Sequence, residues 1–531
     1  MVGFNTRLVL PVVLSSAALV RAVGPVTSLV LANSVVNPDG YQRKGVTLNG
    51  SFIGPTITGK KDDQFKINVI NLLNDPELER TTTIHWHGLT QDFTNWADGT
   101  ASVTQCPISP NASFEYDFKA HHAGTFWYHS HLSTQYCDGL RGAFIVYDDN
   151  DPNKHLYDVD DESTIISLND WYHTIAKTIS ATTSFGIPDS GLVNGQGRAY
   201  RGVVTKNTKL AVITVQKGKR YRFRVINMAC DSMYKFFIDQ HDLDIIEVDG
   251  TSHNKLTVDN ARIYAGQRYS FVLNANKPVG NYWIRSKPNA GLEQSFINGM
   301  NSAILRYEGA PDEEPAEQNE DDIILRNPLK EQKLTPLEQI PVPGEPRPGG
   351  VDYALHVQWG FNESVPNFLA NGIELSSPPS PVLLQILSGV TNPADLLPSG
   401  TVYALPMNAS IEISFSGGIL AIEHPIHLHG HSFDVVRVAG SKEYNYVNPP
   451  RRDVVNTGSE SDNVTIRFRT DNPGPWFVHC HIDWHLQTGM GIILAEGINQ
   501  TRTDIHPPAA WGELCDKYNA LPSDVKPGSE D

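Results

Sequence analysis

Basic residues are scarce in this sequence. Lys and Arg number 42 against 59 Asp and Glu, for a formal net charge of −17 over 531 residues. That shortage argues against a nucleic-acid binder, which meets phosphates with a basic face. Long apolar runs are lacking too. The one candidate, residues 8–20, is too short to span a bilayer and contains Pro11. It follows Arg7 and ends at Val20-Arg21-Ala22, the pattern of a secretory signal over residues 1–22 cleaved after Ala22. No other membrane-spanning segment is expected. Helical heptads are missing, so no coiled coil is indicated. Cysteine is sparse, with only Cys106, Cys137, Cys230, Cys480 and Cys515. In an oxidising compartment four of these can form two disulfides and one is left over. Cys480, set between two histidines, is the obvious odd one.

What is present reads as strand. Hydrophobic residues make up 40% and charged residues 19%, the balance of a well-cored globular chain. Short runs rich in Val, Ile, Thr, Phe and Tyr are separated by Gly, Pro, Asn and Asp. The 42 Gly and 35 Pro supply the turns of a mostly β fold. Six sequons, at Asn49, Asn111, Asn362, Asn408, Asn463 and Asn499, are candidate glycan sites on surface turns of a secreted protein.

One pattern occurs three times. An alternating strand (residues 114–119, 269–273 and 464–469) leads through a turn ending in Gly to an aromatic strand. The three glycines, Gly124, Gly280 and Gly474, lie domain-sized distances apart. Three β-sandwich domains are therefore expected, over 23–152, 153–325 and 326–531. The fifth residue after the glycine is His129 in the first copy, Arg285 in the second and His479 in the third. The middle domain has lost that position and reads as a spacer that also shapes a surface. Residues 308–322 hold eight acids and no Lys or Arg, and the stretch 341–348 is rich in proline. Together they predict a solvated connection between the middle and last domains. The polar tail after Cys515 is expected to be loosely held.

Four His-x-His pairs stand in the chain: His85/His87, His129/His131, His427/His429 and His479/His481. Residues i and i+2 of a strand face one side, so each pair can aim two imidazoles into one cavity. One pair alone would read as ordinary strand histidines. Four in one chain, two from the first domain and two from the last, predict a buried cluster between those domains. Cys480 alternates to the other side of its strand from His479 and His481. It cannot serve the same metal and needs its own partners, for which His424 and His485 are available. Two histidines, a cysteine and a weak thioether make the blue-copper pattern, and Met490 is placed for the axial role. An electron arriving at that copper has a short bonded path through Cys480 to His479 and His481. Zinc is the main competing metal, but it favours closed four-ligand sets and has no redox use for such wiring.

These motifs carry a resemblance. His85-Trp86-His87-Gly88, Trp127-Tyr128-His129-Ser130-His131, His424-Pro425-Ile426-His427-Leu428-His429-Gly430-His431 and His479-Cys480-His481-Ile482-Asp483-Trp484-His485 look like the four copper signatures of multicopper oxidases. Within that family the chain resembles the laccases of basidiomycete fungi. Trp96-Ala97-Asp98-Gly99, Gln105-Cys106-Pro107-Ile108 and residues 470–476 extend the similarity through nearly the whole mature chain. The resemblance implies three cupredoxin-like Greek-key domains and four copper ions. His85 and His427 would hold a type 2 copper. His87, His129, His131, His429, His479 and His481 would hold a type 3 pair. His424, Cys480 and His485 would hold type 1, and His431 is not a ligand. It also implies the disulfides Cys106–Cys515 and Cys137–Cys230.

Asp98 and Asp483 look like proton suppliers for oxygen reduction, set against plainer roles as a turn cap and a histidine orienter. Asp231 matches the family carboxylate that accepts a phenol's hydrogen bond beside His485, with a surface acid as the plain alternative. Phe185 and Asn289 are candidates for the same pocket. The departure is Met490, where many fungal members carry Leu or Phe; a thioether donates to Cu(II) and predicts a low-to-middle potential. The expected reaction is one-electron oxidation of phenols and aromatic amines coupled to four-electron reduction of O2 to water. The expected enzyme is a secreted monomer without nucleic-acid or membrane partners. Lignin degradation and detoxification of phenolics are both open as roles. The alternatives are a ferroxidase, an ascorbate oxidase, or a non-catalytic copper or electron-transfer protein, for which eight further histidines have no purpose.

Overall fold

The computed structural model describes residues 22–199, 208–292 and 294–527. The signal reading over residues 1–22 lies, but for Ala22, outside the described residues. The chain is built of β-sheets with short helices at their ends. Among the described residues no helix is long and apolar enough to cross a membrane.

The threefold repeat is visible as one strand frame used three times. Each aromatic strand, Gly124–Ser130, Asn281–Pro288 and Gly474–Cys480, lies inside a sheet. On one side it pairs antiparallel with Arg141–Tyr147, Ser302–Tyr307 and Gly491–Glu496 respectively. On the other side it pairs antiparallel with Ile84–His87, Tyr234–Ile238 and Pro425–Leu428. A parallel strand closes the outer edge in every copy: Ile57–Lys60, Val212–Val215 and Val402–Leu405. The alternating strands, Ser113–Lys119, Arg268–Asn274 and Asn463–Arg469, lie in the opposing sheets.

Strand alternation places apolar side chains between the two sheets of each copy. In the first domain Leu29, Leu31, Phe65, Ile67 and Tyr116 of one sheet meet Trp86, Phe126, Tyr128 and Phe144 of the other. The middle domain repeats this around Phe223, Phe236, Phe271 and Ile284. The core of the last domain runs on into the first and middle ones through Trp127, Tyr136, Ile226 and Met228. The domains therefore share packed interfaces.

Two expectations about the connections change. The acidic stretch after the middle domain is exposed but tethered: Glu314 pairs with Arg198 and Asp312 with Arg306. The proline-rich stretch offers the Pro343 carbonyl to buried Arg467. The tail is not loosely held over its described length. Helix Ala509–Asn519 returns to the first domain, burying Trp511 and Leu514 in its core. Trp511 Nε1 donates to the Thr104 carbonyl at 3.0 Å, and the Cys106–Cys515 disulfide fastens the same contact. Beyond it, Asp524 pairs with Arg80. Polar composition marked the tail after Cys515 as loose, whereas the helix continues to Asn519, Tyr518 packs against the first domain's core and Asp524 pairs with Arg80.

Candidate metal centre

The frame explains where the histidines go. His85 stands opposite His129 in the first domain, and His427 stands opposite His479 in the last. His131, His429 and His481 lie just past the ends of their strands, so only His85/His87 sits wholly inside one. All eight are buried. They converge in three close sets: His85, His87 and His427; His87, His129 and His481; and His131, His429 and His479. Within each set the ligand-capable atoms lie within 4.8 Å of one another. His87 stacks on His427 with ring centroids 3.8 Å apart. Trp127 stacks on His129 at 4.3 Å.

Hydrogen bonds outside the cavity fix which nitrogen faces inward. The Nδ1 atoms of His85, His129, His427 and His479 lie 2.8–2.9 Å from the backbone carbonyls of Asp98, Ser130, Asp453 and Cys480. Each therefore donates from Nδ1 and presents a bare Nε2. His429 Nδ1 lies 3.0 Å from Asp98 Oδ2 and likewise turns Nε2 inward. His87 is reversed: its Nε2 faces Asp453 Oδ1 at 3.3 Å, and its Nδ1 lies 3.1 Å from His481 Nε2.

Burial holds His87, His129, His131, His427, His429 and His481 well below the ordinary histidine pKa and takes His479 down to about 3. A charged imidazole is excluded there, and neighbouring histidines add mutual repulsion. Lone pairs thus face lone pairs: His429 Nε2 is 3.1 Å from His479 Nε2, and His131 Nε2 is 3.3 Å from it. The Nε2 atoms of His85, His129 and His427 are buried with no hydrogen-bond partner. Orphaned polar atoms of this kind are costly in an apolar interior. Divalent cations among them would satisfy these lone pairs, so the donors fit a metal cluster.

A second set lies on the other face of the last strand. Cys480 Sγ is 3.6 Å from both His424 Nδ1 and His485 Nδ1, which are 3.1 Å apart. All three are buried, and Cys480 is the one free cysteine among the described residues. Burial, with the Asp231 charge adding to it, pushes the thiol pKa up, and burial takes His424 down to about 4. A thiolate here requires a cation. Met490 is fully buried beside the set, and its carbonyl accepts the Cys480 N–H at 3.1 Å. Two imidazoles and one sulfur suit copper better than a hard, oxygen-seeking ion.

The remaining candidates are distributed around these sets. Asp98 ends the short helical turn Asn95–Ala97 and touches both His85 and His429. Gly99 must be glycine: at φ +80° a Cβ would lie 1.7 Å from the Ile84 carbonyl, against the strand that carries His85. Asp483 opens the helix Asp483–Gln487, and its N–H donates to the Cys230 carbonyl at 2.8 Å. That bond ties the His485 helix to the loop bearing Asp231. The Cys137–Cys230 disulfide anchors the same loop. Asp231 is half-buried, and burial with the Asp170 charge pushes its carboxyl up to about 8. Phe185 lies 5.7 Å from the His485 ring. Asn289 is exposed and accepts the Met233 N–H at 2.8 Å, bracing the same loop. His431 turns away from the cluster to Glu496 at 2.7 Å.

Three features carried no sequence signal. Phe368 packs 4.4 Å from the His485 ring. Asp170 accepts the N–H groups of Cys230, Asp231 and Ser232 at 2.9–3.3 Å, shaping the Asp231 loop. Arg268 reaches in from the middle domain to Asp453. None belongs to a spaced motif, and each meets its partner only across domains or loops.

Comparison with known proteins places this geometry. Models of the multicopper oxidase family match residues 31–151, 162–310 and 376–500. The chain belongs to the multicopper oxidase family. Within it the chain is 54% identical to a laccase of Trametes villosa over 506 residues, covering 94% of this chain and 95% of that one. It is 53% identical to a laccase of Phlebia radiata, covering 95% and 96%. Among solved structures, the laccase from Botrytis aclada aligns with a TM-score of 0.79 at 31% identity, covering 93% of this chain and 92% of that chain. A multicopper oxidase that functions in iron import aligns with a TM-score of 0.81 at 28% identity, covering 93% and 95%.

Proposed function

We propose that this protein is a secreted laccase that oxidises phenols and aromatic amines one electron at a time and reduces O2 to water. The observation that carries the reading is the segment His479–Cys480–His481. Its cysteine joins one donor set while its two histidines join two others, so a single strand end links both sites covalently. The strong likeness to proteins named laccase supports the substrate class.

In this reading His424, Cys480 and His485 would hold a type 1 copper, with the Met490 thioether available as a further weak donor. His85 and His427 hold type 2. His87, His129 and His481 hold one type 3 ion, and His131, His429 and His479 hold its mate. Copper bound at these sites supplies the one-electron steps that connect substrate oxidation to oxygen reduction. The chain's own groups do the rest. His485, beside Phe185 and Phe368, presents an apolar wall to an aromatic ring. Asp231 accepts the phenol O–H and takes the proton released when an electron leaves. Four electrons and four protons convert O2 to two waters. Asp98 holds one carboxylate oxygen, Oδ2, on Thr100 and His429, while its Oδ1 lies 3.2 Å from His85 Nδ1 without a formed hydrogen bond. That Oδ1 is where a proton is carried to the cluster, and Asp483 serves the opposite side.

The domains are read as 23–152, 153–325 and 326–531 after a cleaved signal. The net charge of −17 suits a protein without nucleic-acid partners. Asn49, Asn111, Asn362, Asn408 and Asn499 are exposed and Asn463 half-buried, so all six sequons are reachable for glycans. A monomer acting on small phenolics is the simplest arrangement.

The test is oxygen uptake by the copper-loaded protein with a dimethoxyphenol, Fe(II) and ascorbate in turn. Rapid uptake with the phenol, at one O2 per four one-electron oxidations, is expected. Full copper loading without uptake overturns the oxidase reading, and preference for Fe(II) or ascorbate redirects it within the family.

A further inference from the structure

The middle domain has no histidine in the cluster, yet its turn at 264–268 forms part of the cluster's wall. Gly266 has φ +85°, and a Cβ there would lie 2.8 Å from His481 Cδ2 and 3.0 Å from His87 Cε1. The backbone of this turn therefore touches two of the eight rings. Gln267 Nε2 donates to the Val454 carbonyl at 3.1 Å, fastening the turn to the last domain. Arg268, fully buried, donates through Nη1 and Nη2 to the two oxygens of Asp453 at 2.6 and 2.7 Å. Its Nε donates to the Thr125 carbonyl of the first domain at 3.0 Å. One guanidinium thus joins all three domains directly behind the cluster.

Asp453 is where that contact matters. Its carbonyl receives His427 Nδ1 at 2.9 Å, and its Oδ1 receives His87 Nε2 at 3.3 Å. Four of the other rings are oriented by backbone carbonyls, which sequence cannot remove. His87 alone is turned the opposite way round, and a side-chain carboxylate turns it. That carboxylate is itself held in a two-pronged grip by Arg268. A planar fork fixes a carboxylate's position and plane in a way a point charge does not.

We infer that Arg268 is a positioning residue for the histidine cluster, supplied by the middle domain, which sets the ring orientation of His87 by fixing Asp453. The inference rests on reading the eight histidines as a copper site. It assigns the middle domain a part in building that site and not only in spacing its neighbours.

The experiment compares the wild-type chain with Arg268→Met, Arg268→Lys and the charge-balanced Arg268→Met/Asp453→Asn. Copper affinity is measured by competition with a chelator. The visible band of the Cys480 site serves as an internal reference, and electron paramagnetic resonance reports the cluster. Loss of an outer hydrogen-bond partner of a metal-binding histidine weakens affinity roughly 10–100-fold. Arg268 acts one contact further out, through Asp453, so Arg268→Met is expected to weaken cluster copper by about tenfold, the low end of that range, and to change its resonance spectrum, with the Cys480 band intact. Arg268→Lys, which keeps the charge without the fork, is expected to restore only part of it. Should Arg268→Met fail to fold, the double variant removes the unpaired buried carboxylate while leaving an amide oxygen for His87, and it is read against Asp453→Asn alone, the further loss being the share of Arg268. Unchanged cluster affinity and spectrum in the folded variants overturn the inference. So does an equal loss at both sites that tracks the melting temperature, since that is a general structural effect. A wild-type chain that loads no copper among the histidines instead defeats the copper reading itself.

Discussion

Ser130 of the first domain and Cys480 of the last occupy the same point of one strand frame. Each follows the frame histidine, and each donates its N–H to the next strand, to Leu140 at 3.0 Å and to Met490 at 3.1 Å. Five residues on stand Gln135 and His485. Three residues before the first histidine of the facing strand stand Thr82 and His424. In the last domain these positions form the sulfur and imidazole set. In the first, Gln135 Oε1 accepts from Ser130 Oγ at 2.6 Å and from Thr82 Oγ1 at 2.8 Å, and the same space closes on itself. One frame supports a set of metal donors in one place and a hydrogen-bonded knot in the other. The backbone offers the position and four side chains decide what it does.

The middle domain gives a third outcome. Phe237 stands opposite Arg285, where the outer domains place His85 opposite His129 and His427 opposite His479. Arg285 pairs with Asp239 at 3.1 Å, and its guanidinium lies 4.6 Å from the Phe296 ring and 5.2 Å from the Trp283 ring. The lost ligand position has become a buried ion pair.

Two substitutions test this contrast most strongly. Cys480→Ser gives the last domain the first domain's residue without its Gln135 partner. It is expected to abolish the visible band and turnover while the histidine cluster keeps its copper, as read by absorption, oxygen uptake and metal analysis. Loss of all copper would mean that the two sites are not separable. Arg285→Met, at the corresponding histidine position of the middle domain, should do the reverse. It leaves Asp239 buried and unpaired, which costs about 3–5 kcal/mol, seen in a denaturant titration. Copper content and the rate per folded molecule should be unchanged. A drop in either would show that the middle domain reaches the sites through this pair as well.

The contrast also explains what could be read from sequence. The frame was legible because its alternating strand, glycine and aromatic strand recur with little change. The cluster was legible because eight of its donors come as His-x-His pairs, and the separate site because Cys480 alternates away from its neighbours. The knot of Thr82, Ser130 and Gln135 was not, since serine, threonine and glutamine at those spacings carry no chemistry until the frame superposes them on His424, Cys480 and His485. The grip of Arg268 on Asp453 was invisible for another reason. It joins residues far apart in the chain, and nothing in the repeated strand that Arg268 opens points to Asp453. The tail after Cys515 was misjudged because polar composition hid the packing of Tyr518 against the first domain and the pairing of Asp524 with Arg80.

A smaller effect is expected at the substrate end. Asp231 has no counterpart in the first domain's closed knot and belongs to the opening beside His485. Its carboxyl is pushed up to about 8 by burial and by Asp170, and a bound cation nearby lowers that value. Only the ionised form can take the phenol's proton, so kcat/KM for phenols should rise with pH toward an inflection at or below about 8. Asp231→Asn should flatten that limb. It should also cost roughly tenfold in kcat/KM, as expected for losing a hydrogen bond to a charged group. A pH profile that keeps its limb in the variant would assign the titration to another residue.

The last and smallest change is at Met490, which the first domain matches with Leu140. Met490→Leu nearly conserves volume, so its stability cost should stay below about 1.5 kcal/mol. What it removes is a sulfur. If the thioether donates to the copper beside Cys480, it favours the oxidised ion, and its loss should raise the reduction potential measured by anaerobic titration. Substrates that are hard to oxidise should then react faster while easy ones change little. If the potential does not move, Met490 is a core residue like Leu140, and the two domains differ at three positions instead of four.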